Sequence, residues 1–171
     1  MKNRTNLIFI VEANKQSKTD YMYIRRIIGE YYRIDLFRTD AIYAGSKGNL
    51  TKQDKKIERI KKDLPGHSYV ILVVDVDSAL NPAYSLNNDI EKYCNTNNYD
   101  IIWMNLTIED VVFGETINEK KKVDKAISFF NKNKIDINVE AFTHKNPQSK
   151  RHSSNLFVVL DKYISVYKKS T

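Results

Sequence analysis

The run from Val70 to Asp77 is a continuous apolar segment that ends in two carboxylates one residue apart. Uninterrupted apolar runs of this length are typical of strands buried on both faces of a parallel sheet. Because successive side chains of a strand alternate, Asp75 and Asp77 are predicted on the same side. A second apolar run, residues 7–11, ends in the same way with Glu12. Open α/β sheets place their ligands at the carboxyl ends of strands, so an acidic site is predicted at this edge.

Strand and helix patterns alternate along most of the chain. Apolar runs predict strands at residues 7–11, 41–44, 70–74 and 99–104, and stripes at helical spacing predict helices between them, another around 123–130 and a last one from about residue 154. We also expect a capping box between Thr51 and Asp54, a short edge strand over 136–142, and a loop or flexible arm over 143–153. This order predicts an α/β fold with a mainly parallel sheet of four or five strands and helices on both faces.

Length and composition indicate one globular domain. The chain has 171 residues, of which 42% are apolar and 29% charged, enough for a sizeable core. A single cysteine, Cys94, excludes an intramolecular disulfide framework, and the three histidines have no zinc-site spacing. We therefore expect a reducing, cytoplasmic setting. No apolar run approaches the roughly 18 residues that a membrane span needs, which argues against a membrane protein.

The chain is basic. It carries 28 Lys and Arg against 21 Asp and Glu, a formal net charge of +7. A basic surface around an acidic centre suits a polyanion held by phosphate contacts while a divalent metal occupies the centre. The residues predicted to contact nucleic-acid phosphates are Lys15, Lys18, Lys47, Lys145 and Arg151, and Lys150 is predicted to neutralise charge on a phosphate or leaving oxygen. A lysine-rich solubilising surface is the alternative interpretation.

The carboxylates at the strand ends suit a hard divalent cation, because Mg²⁺ and Mn²⁺ take oxygen ligands and keep several waters. Asp75 and Asp77 are the first metal-ligand candidates. Glu12 is a further ligand or a general acid/base, and like-charge repulsion from its neighbours would raise its pKa. Asp20 and Glu109 are candidates for a second set of ligands. The alternative is that these groups are solvated strand ends or residues that favour helix N-termini.

The order of these elements resembles the Toprim domain of topoisomerases, primases and related nucleases. The opening strand ends in Ile10-Val11-Glu12, a helix and a second strand-helix unit follow, and the third strand carries Asp75-Val76-Asp77. Within that family the chain is most similar to the small RloB-like nucleases and to those of the overcoming-lysogenization-defect (OLD) type, which belong to phage-defence systems. The resemblance covers residues 6–113, and residues 114–171 are interpreted as a C-terminal helical extension of one Toprim-like domain.

Two further stretches carry the resemblance and depart from it in detail. Where the family often has V-E-G, this chain has Val11-Glu12-Ala13, and Thr19-Asp20 matches a Thr-acidic pair at the start of the first helix. The N-P-x-F-E stretch of the group is echoed by residues 105–109, with Leu106 for proline and Ile108 for the aromatic residue.

The resemblance implies a nuclease that uses Mg²⁺ or Mn²⁺ to hydrolyse phosphodiester bonds of DNA or RNA in phage defence by abortive infection. A separately encoded ATPase is an implied partner. One alternative is a non-catalytic Toprim-like module that binds nucleic acid or such an ATPase. A nucleotide-sugar transferase would also use a D-x-D motif to hold a metal diphosphate, but it has no role for Glu12.

Overall fold

Five strands form one sheet in the computed structural model, which describes residues 4–13 and 19–170. The strands are β1 (Thr5–Val11), β2 (Arg38–Tyr43), β3 (His67–Asp75), β4 (Asp100–Asn105) and β5 (Ser153–Ser154). Their order across the sheet is β2-β1-β3-β4-β5. The first four strands are mutually parallel, and β5 runs antiparallel to β4. The predicted α/β class and the four parallel strands are therefore confirmed.

The α-helices of the described ranges connect and follow these strands. They are α1 (Thr19–Tyr31), α2 (Asp54–Asp63), α3 (Leu86–Asn97), α4 (Ile108–Phe113), α5 (Glu119–Phe130) and α6 (Leu156–Ile164). Each helix that an apolar stripe predicts is present, and α4 is an additional short helix directly after β4. In residues 4–13 and 19–170, no helix combines the length and the apolar character that a membrane crossing requires.

Side chains of the central strands alternate between two hydrophobic cores, one on each face of the sheet. In β1, Leu7 and Phe9 belong to the core that α1, α4, α5 and α6 cover, whereas Ile8 and Ile10 belong to the core under α2 and α3. These four side chains have no exposed surface. Burial on both faces is what an uninterrupted apolar strand requires, so the helices lie on both faces as predicted.

The prediction of an edge strand over residues 136–142 is wrong. The segment contains a 3-10 helix at Val139–Phe142 instead. The side chain of Asn138 accepts a hydrogen bond from the backbone of Glu140 at 3.1 Å, which favours a helical turn, and Phe142 is fully buried. The apolar spacing that predicts a strand therefore belongs to a turn that fills the core.

The capping box predicted between Thr51 and Asp54 is also wrong. A 3-10 helix runs through Lys47–Lys52, and α2 begins at Asp54 with Gln53 before it. Gln53 donates a hydrogen bond to the backbone oxygen of Asn49 at 2.8 Å rather than capping α2. Lys47 and Leu50 of this segment are buried, so tertiary packing, rather than a local cap, holds the segment in position.

The segment over residues 143–153 is a loop, as predicted, but an anchored one. Asn105, at the end of β4, donates from Nδ2 to the backbone oxygens of Pro147 at 2.9 Å and Gln148 at 3.2 Å. The side chain of Gln148 in turn donates to Oε1 of Glu91 on α3 at 2.8 Å. The loop is therefore held at the carboxyl end of β4.

Candidate functional site

Glu12 and Asp75 lie together at the carboxyl edge of β1 and β3. The two strands are parallel with Val11 opposite Val73, so the residues that follow leave the sheet at the same edge. The backbone N–H of Asp75 donates a hydrogen bond to Oε1 of Glu12 at 3.2 Å. The register of two distant strands thus makes these two carboxylates neighbours.

Burial raises the pKa of Glu12 to about 7, against an ordinary value of 4.5. The charge of Lys47 and the hydrogen bond from Asp75 lower this pKa, and the carboxylates of Asp77 and Asp20 raise it further. A carboxyl group with a pKa near neutrality can both accept and release a proton at neutral pH, which suits a general acid/base.

Asp75 is the centre of a cluster of carboxylates. Burial raises its pKa well above the ordinary value, and negative charge from the surrounding groups raises it further. Those groups are, in decreasing order of effect, Asp20, Glu12, Glu109 and Asp77. We call Glu12, Asp20, Asp75, Asp77 and Glu109 the carboxylate cluster. Negative charge converging on a partly buried point favours a bound cation.

Asp20 and Glu109 belong to the cluster from the first turns of two helices, α1 and α4. Asp20 lies in the first turn of α1, and its pKa is raised to about 6 by burial and then by the charge of Glu109. A hydrogen bond from the backbone of Ala13 and the charge of Lys122 lower the same pKa. Glu109 lies in the first turn of α4 and is only 7% exposed. The two residues predicted as a second set of ligands therefore interact with each other and with Asp75.

Asp110, next to Glu109, has a structural role. Its side chain accepts hydrogen bonds from the backbone of Thr107 at 3.3 Å and of Ile117 at 2.7 Å, and the Thr107 hydroxyl accepts one from the backbone of Asp110. This capping box starts α4. The sequence pattern predicts that Asp110 points away from the site or caps a helix, and the cap is confirmed.

Asp77 lies outside the strand that precedes it. β3 ends at Asp75, and Asp77 has a left-handed backbone with φ of 63°. The alternation of a strand therefore does not extend to this residue. Its Oδ2 is 2.6 Å from Nζ of Lys47, and its Oδ1 accepts a hydrogen bond from Nδ2 of Asn81 at 3.1 Å. Both carboxylate oxygens of Asp77 are thus engaged by protein groups.

Lys47 is buried inside the site, although the sequence predicts it as a surface contact to phosphate. The residue is 6% exposed, and its ammonium donates to the backbone oxygen of Asp75 and to Asp77, both at 2.6 Å. It follows the turn after β2, whose last residue pairs with Val11. The position of Gly45-Ser46-Lys47 directly after a parallel strand was the available signal that this lysine reaches the acidic edge.

The remaining predicted basic residues fall into two groups. Lys145, Lys150 and Arg151 are exposed on the anchored loop, which we call the basic loop (residues 145–151). Asn105 holds the backbone of this loop at the carboxyl end of β4, the edge that also carries Asp75. The other two, Lys15 and Lys18, lie outside the described residues.

Two buried polar atoms beside the cluster have no hydrogen-bond partner among the described residues. One is the hydroxyl of Tyr23, which has no exposed surface and whose pKa is raised by burial and by the charge of Glu109. The other is Oδ1 of Asn105, one residue beyond the Met104 that pairs with Asp75. Asn6, Gln53, Asn87 and His144 also carry a buried polar atom without such a partner, so these two atoms do not by themselves mark a ligand site.

The cluster offers carboxylate oxygens, which are the type of ligand that Mg²⁺ and Mn²⁺ bind. The pKa values of Glu12, Asp20 and Asp75 are raised. Mg²⁺ ordinarily uses one or two carboxylates and completes its shell with water. Within residues 4–13 and 19–170, however, no three His, Cys, Asp or Glu side chains are arranged so that they could hold a metal ion. The site is therefore a charged cluster around Asp75, with acidic donors spread over two strand ends and two helices.

Comparisons with known proteins give no relative for this site. No family model, no curated protein and no solved structure matches the chain. The interpretation of the site depends on its own residues and on the resemblance in the sequence motifs.

Proposed function

We propose that the chain is a metal-dependent nuclease that hydrolyses phosphodiester bonds of DNA or RNA with Mg²⁺ or Mn²⁺. The observation that carries the proposal is Asp75, whose pKa is raised by burial and by four carboxylates from separate segments of the chain. Its place at the carboxyl end of β3 matches the ligand edge of open α/β sheets. A role in phage defence, with an ATPase as partner, is part of the proposal and depends on the resemblance to RloB-like and OLD-type nucleases.

Asp75 is the proposed direct metal ligand, and Asp20 and Glu109 are proposed to hold the waters that complete the shell of the ion, because no three acidic side chains in residues 4–13 and 19–170 are arranged to bind a metal directly. The three interact through their charges, and burial together with these charges raises the pKa values of Asp75 and Asp20. When bound, a divalent ion would polarise a phosphoryl oxygen and lower the pKa of its water. The protein contributes the orientation of the carboxylates, which the first turns of α1 and α4 fix.

Glu12 is the proposed general acid/base. Its pKa of about 7 lets it exchange a proton at neutral pH, and the N–H of Asp75 holds one of its oxygens in place. Phosphodiester hydrolysis requires a proton to leave the attacking water and a proton to reach the leaving oxygen. Glu12 can perform the first of these transfers from its position beside Asp75.

The basic loop supports a nucleic-acid substrate. Lys145, Lys150 and Arg151 are exposed on it, at the edge of the sheet that carries the carboxylate cluster. Phosphate contacts of this kind position a strand without reading its sequence. In the proposal, Lys150 neutralises charge on the phosphate, and the other two hold the backbone on either side.

The test is cleavage of labelled single-stranded and double-stranded DNA and RNA with Mg²⁺ or Mn²⁺. Wild type is compared with Asp75→Asn and Asp63→Asn. Asp63 is a matched control because its side chain is 70% exposed on α2 and its charge is not among those that shift the pKa of Glu12, Asp20 or Asp75. We expect wild type and Asp63→Asn to cleave the substrate. Asp75→Asn should cleave it at least about 100-fold more slowly, with an unchanged circular dichroism spectrum. Equal cleavage by all three proteins would contradict the site assignment.

One observation favours the non-catalytic alternative. Lys47 neutralises Asp77, a residue that the D-x-D pattern assigns to metal binding. In a module that only binds nucleic acid or an ATPase, such a pair would replace the metal. Nucleic-acid binding by wild type without cleavage of any of the four substrates, in either metal, would select this alternative.

A further inference from the structure

Helix α5 carries an apolar stripe on its outer side in addition to the one that it buries. Ala126 and Phe129 are buried in the core. Val123 and Ile127, by contrast, are 67% and 54% exposed. Together with the half-buried Phe130 they repeat at i, i+4 and i+7, which places the three on one side of the helix. The outer side of a surface helix is ordinarily polar, so this stripe indicates a docking face.

Helix α1 lies beside α5 and runs in the same direction. The charge of Lys122, in the first turn of α5, acts on Asp20, in the first turn of α1. Further along, the ring centroids of Tyr23 and Phe130 are 4.9 Å apart. Arg26 then donates hydrogen bonds of 2.8 and 3.1 Å to two backbone oxygens just after α5. These contacts hold the two helices side by side in a fixed position.

A groove of about 440 Å³ lies along this pair of helices. It is lined by Met22, Arg25, Arg26, Gly29, Ile34 and Phe130. Four of these residues belong to α1 and recur at the spacing of one helix face, and Met22 is 45% exposed. Phe130 ends the outer stripe of α5, so the groove and the stripe form one apolar face.

Gly29 leaves a gap in the wall of this groove. Glycine in the interior of a helix weakens the helix relative to alanine. Apart from its chain neighbours and the adjacent backbone of α1, no atom lies within 4 Å of the place that a Cβ would take. Packing inside the protein therefore does not require a glycine at this position. The gap provides open space into which a side chain of a docked partner fits.

The surroundings of the groove are basic. Residues 120–134 include six lysines and one aspartate, and Lys120 and Lys132 are exposed. Arg25 is exposed on the wall of the groove. A second copy of the chain would bring the same positive charge to this face, so repulsion disfavours self-association here. A partner with acidic residues beside its apolar ones complements the face in both respects.

We propose that the groove between α1 and α5 binds an acidic amphipathic helix of a partner protein. Its apolar residues would contact Ile127 and Phe130, and its acidic residues would lie against the surrounding lysines and arginines. The stripe from Val123 to Phe130 is about 10 Å long, which matches two turns of a helix with anchors at i, i+4 and i+7. A concave site fits a helix better than the flat surface of a membrane. The inference is independent of the proposed function, because it uses neither the carboxylate cluster nor a metal.

The experiment selects binders of wild type from a display library of helix-biased peptides of about 20 residues, long enough to form a helix alone. Fluorescence anisotropy then measures the affinity of the labelled peptides for wild type and for variants. We expect the selected sequences to have a net negative charge and apolar residues at i, i+4 and i+7. A library that yields no binder, or only binders without this pattern, would overturn the proposal.

Two substitutions test whether the peptide occupies the groove. Ile127→Ser removes an apolar contact and should weaken binding at least about fivefold. Gly29→Leu fills the gap with a residue of high helix propensity, so it should fold and weaken binding at least about tenfold. Leu80→Ser is the matched control, because Leu80 is 94% exposed on the segment before α3, which packs on the other face of the sheet. Unchanged affinity in Ile127→Ser and Gly29→Leu would contradict the location.

The charge of the groove is tested separately. Arg25→Gln should slow association with the acidic peptide and make the association rate less dependent on salt, since charges at the rim of an interface act mainly on that rate. Arg59→Gln is the matched control, because the side chain of Arg59 is 85% exposed on α2. Equal slowing by both substitutions would show that net charge, rather than the groove, attracts the peptide, and would contradict the proposed complementarity.

Two other occupants of the groove would overturn the proposal. Vesicles containing phosphatidylglycerol that bind wild type but not Ile127→Ser, with no peptide selected, would assign the face to a membrane surface. A wild-type dimer that dissociates in Ile127→Ser, measured by sedimentation velocity, would assign it to a second copy of the chain. Circular dichroism checks the fold of each variant. If Ile127→Ser does not fold, Gly29→Leu decides.

Discussion

The backbone nitrogen of Asp75 lies 3.2 Å from Oε1 of Glu12 and donates a hydrogen bond to it, although 63 positions separate the two residues in the chain. The contact follows from the parallel register of β1 and β3, which ends both strands at one edge. It keeps Glu12 beside the most strongly perturbed carboxyl group of the cluster. The same burial that raises the pKa of Glu12 makes the stability of the fold depend on pH.

We predict that metal-free protein loses stability as the pH rises from about 4.5 to about 7. The folded state raises the pKa of Glu12 from 4.5 to about 7 and so binds its proton more tightly than the unfolded state does. Stabilisation by this group is complete below the unfolded pKa and is lost as the pH passes the folded pKa. The size of the effect is on the order of 3 kcal/mol over this window.

Glu12→Gln isolates this effect, because glutamine keeps an oxygen for the Asp75 N–H but does not titrate. Urea unfolding of both proteins at intervals between pH 4 and 8 measures the difference in the free energy of unfolding. Wild type should lose stability relative to Glu12→Gln as the pH rises through this window, and the difference should level off about one pH unit above the folded pKa of about 7. Parallel curves for the two proteins would contradict the raised pKa.

Asp110→Ala is predicted to destabilise the protein by about 2–4 kcal/mol, since it removes a helix cap and a buried charged hydrogen bond. The N–H of Ile117, 2.7 Å from Oδ1 of Asp110, would be left buried without its acceptor. Thermal unfolding measured by circular dichroism checks the prediction. Asp124→Ala, at an exposed position on α5, is the control and should change stability by less than about 0.5 kcal/mol. Equal stability of the two variants would show that the cap has no energetic role.

Substitution of two glycines by alanine is predicted to have opposite effects. Gly66 has φ of 116°, and a Cβ there would lie 2.1 Å from the backbone oxygen of Arg4, so Gly66→Ala should cost at least about 2 kcal/mol. Gly29 lies in α1, and apart from its chain neighbours and the adjacent backbone of α1 no atom lies within 4 Å of the place that a Cβ would take, so Gly29→Ala should stabilise the fold by about 0.5–1 kcal/mol. Chemical unfolding of both variants measures the two signs. A destabilised Gly29→Ala would contradict the open space beside α1.

The sequence was sufficient to predict the meeting of Glu12 and Asp75, because the carboxyl ends of parallel strands share an edge whatever the details of packing. It was insufficient for Asp77, because the left-handed backbone at that residue ends the strand alternation. The burial of Lys47 depends on a turn after β2 reaching a carbonyl at the end of β3, which no local pattern encodes. Tertiary packing likewise replaced the local cap at Thr51.

The short strand β5 was not predicted, because it too depends on tertiary packing. Two serines carry no strand pattern, and Ser153 and Ser154 pair with β4 because the loop before them is tied down by Asn105. Two apolar residues of the predicted edge strand, Ile137 and Phe142, are buried in an irregular segment with a 3-10 turn. Apolar spacing indicated correctly that these side chains are buried, but it could not indicate the backbone conformation that buries them.

The basic loop should contribute phosphate contacts that can be counted. Replacing Lys150 and Arg151 together by glutamine removes two charges from an exposed loop that Asn105 fixes near the carboxylate cluster. The slope of log binding constant against log salt concentration should therefore become shallower by about 1.8 on double-stranded DNA, at about 0.9 for each phosphate that is no longer neutralised. Fluorescence anisotropy with a labelled duplex at several salt concentrations measures the slope. The control is the double variant Lys55→Gln and Lys56→Gln, which removes the same charge from exposed positions of α2 and should leave the slope unchanged. An equal change of slope in both double variants would mean that net charge, rather than the position of the basic loop, determines binding.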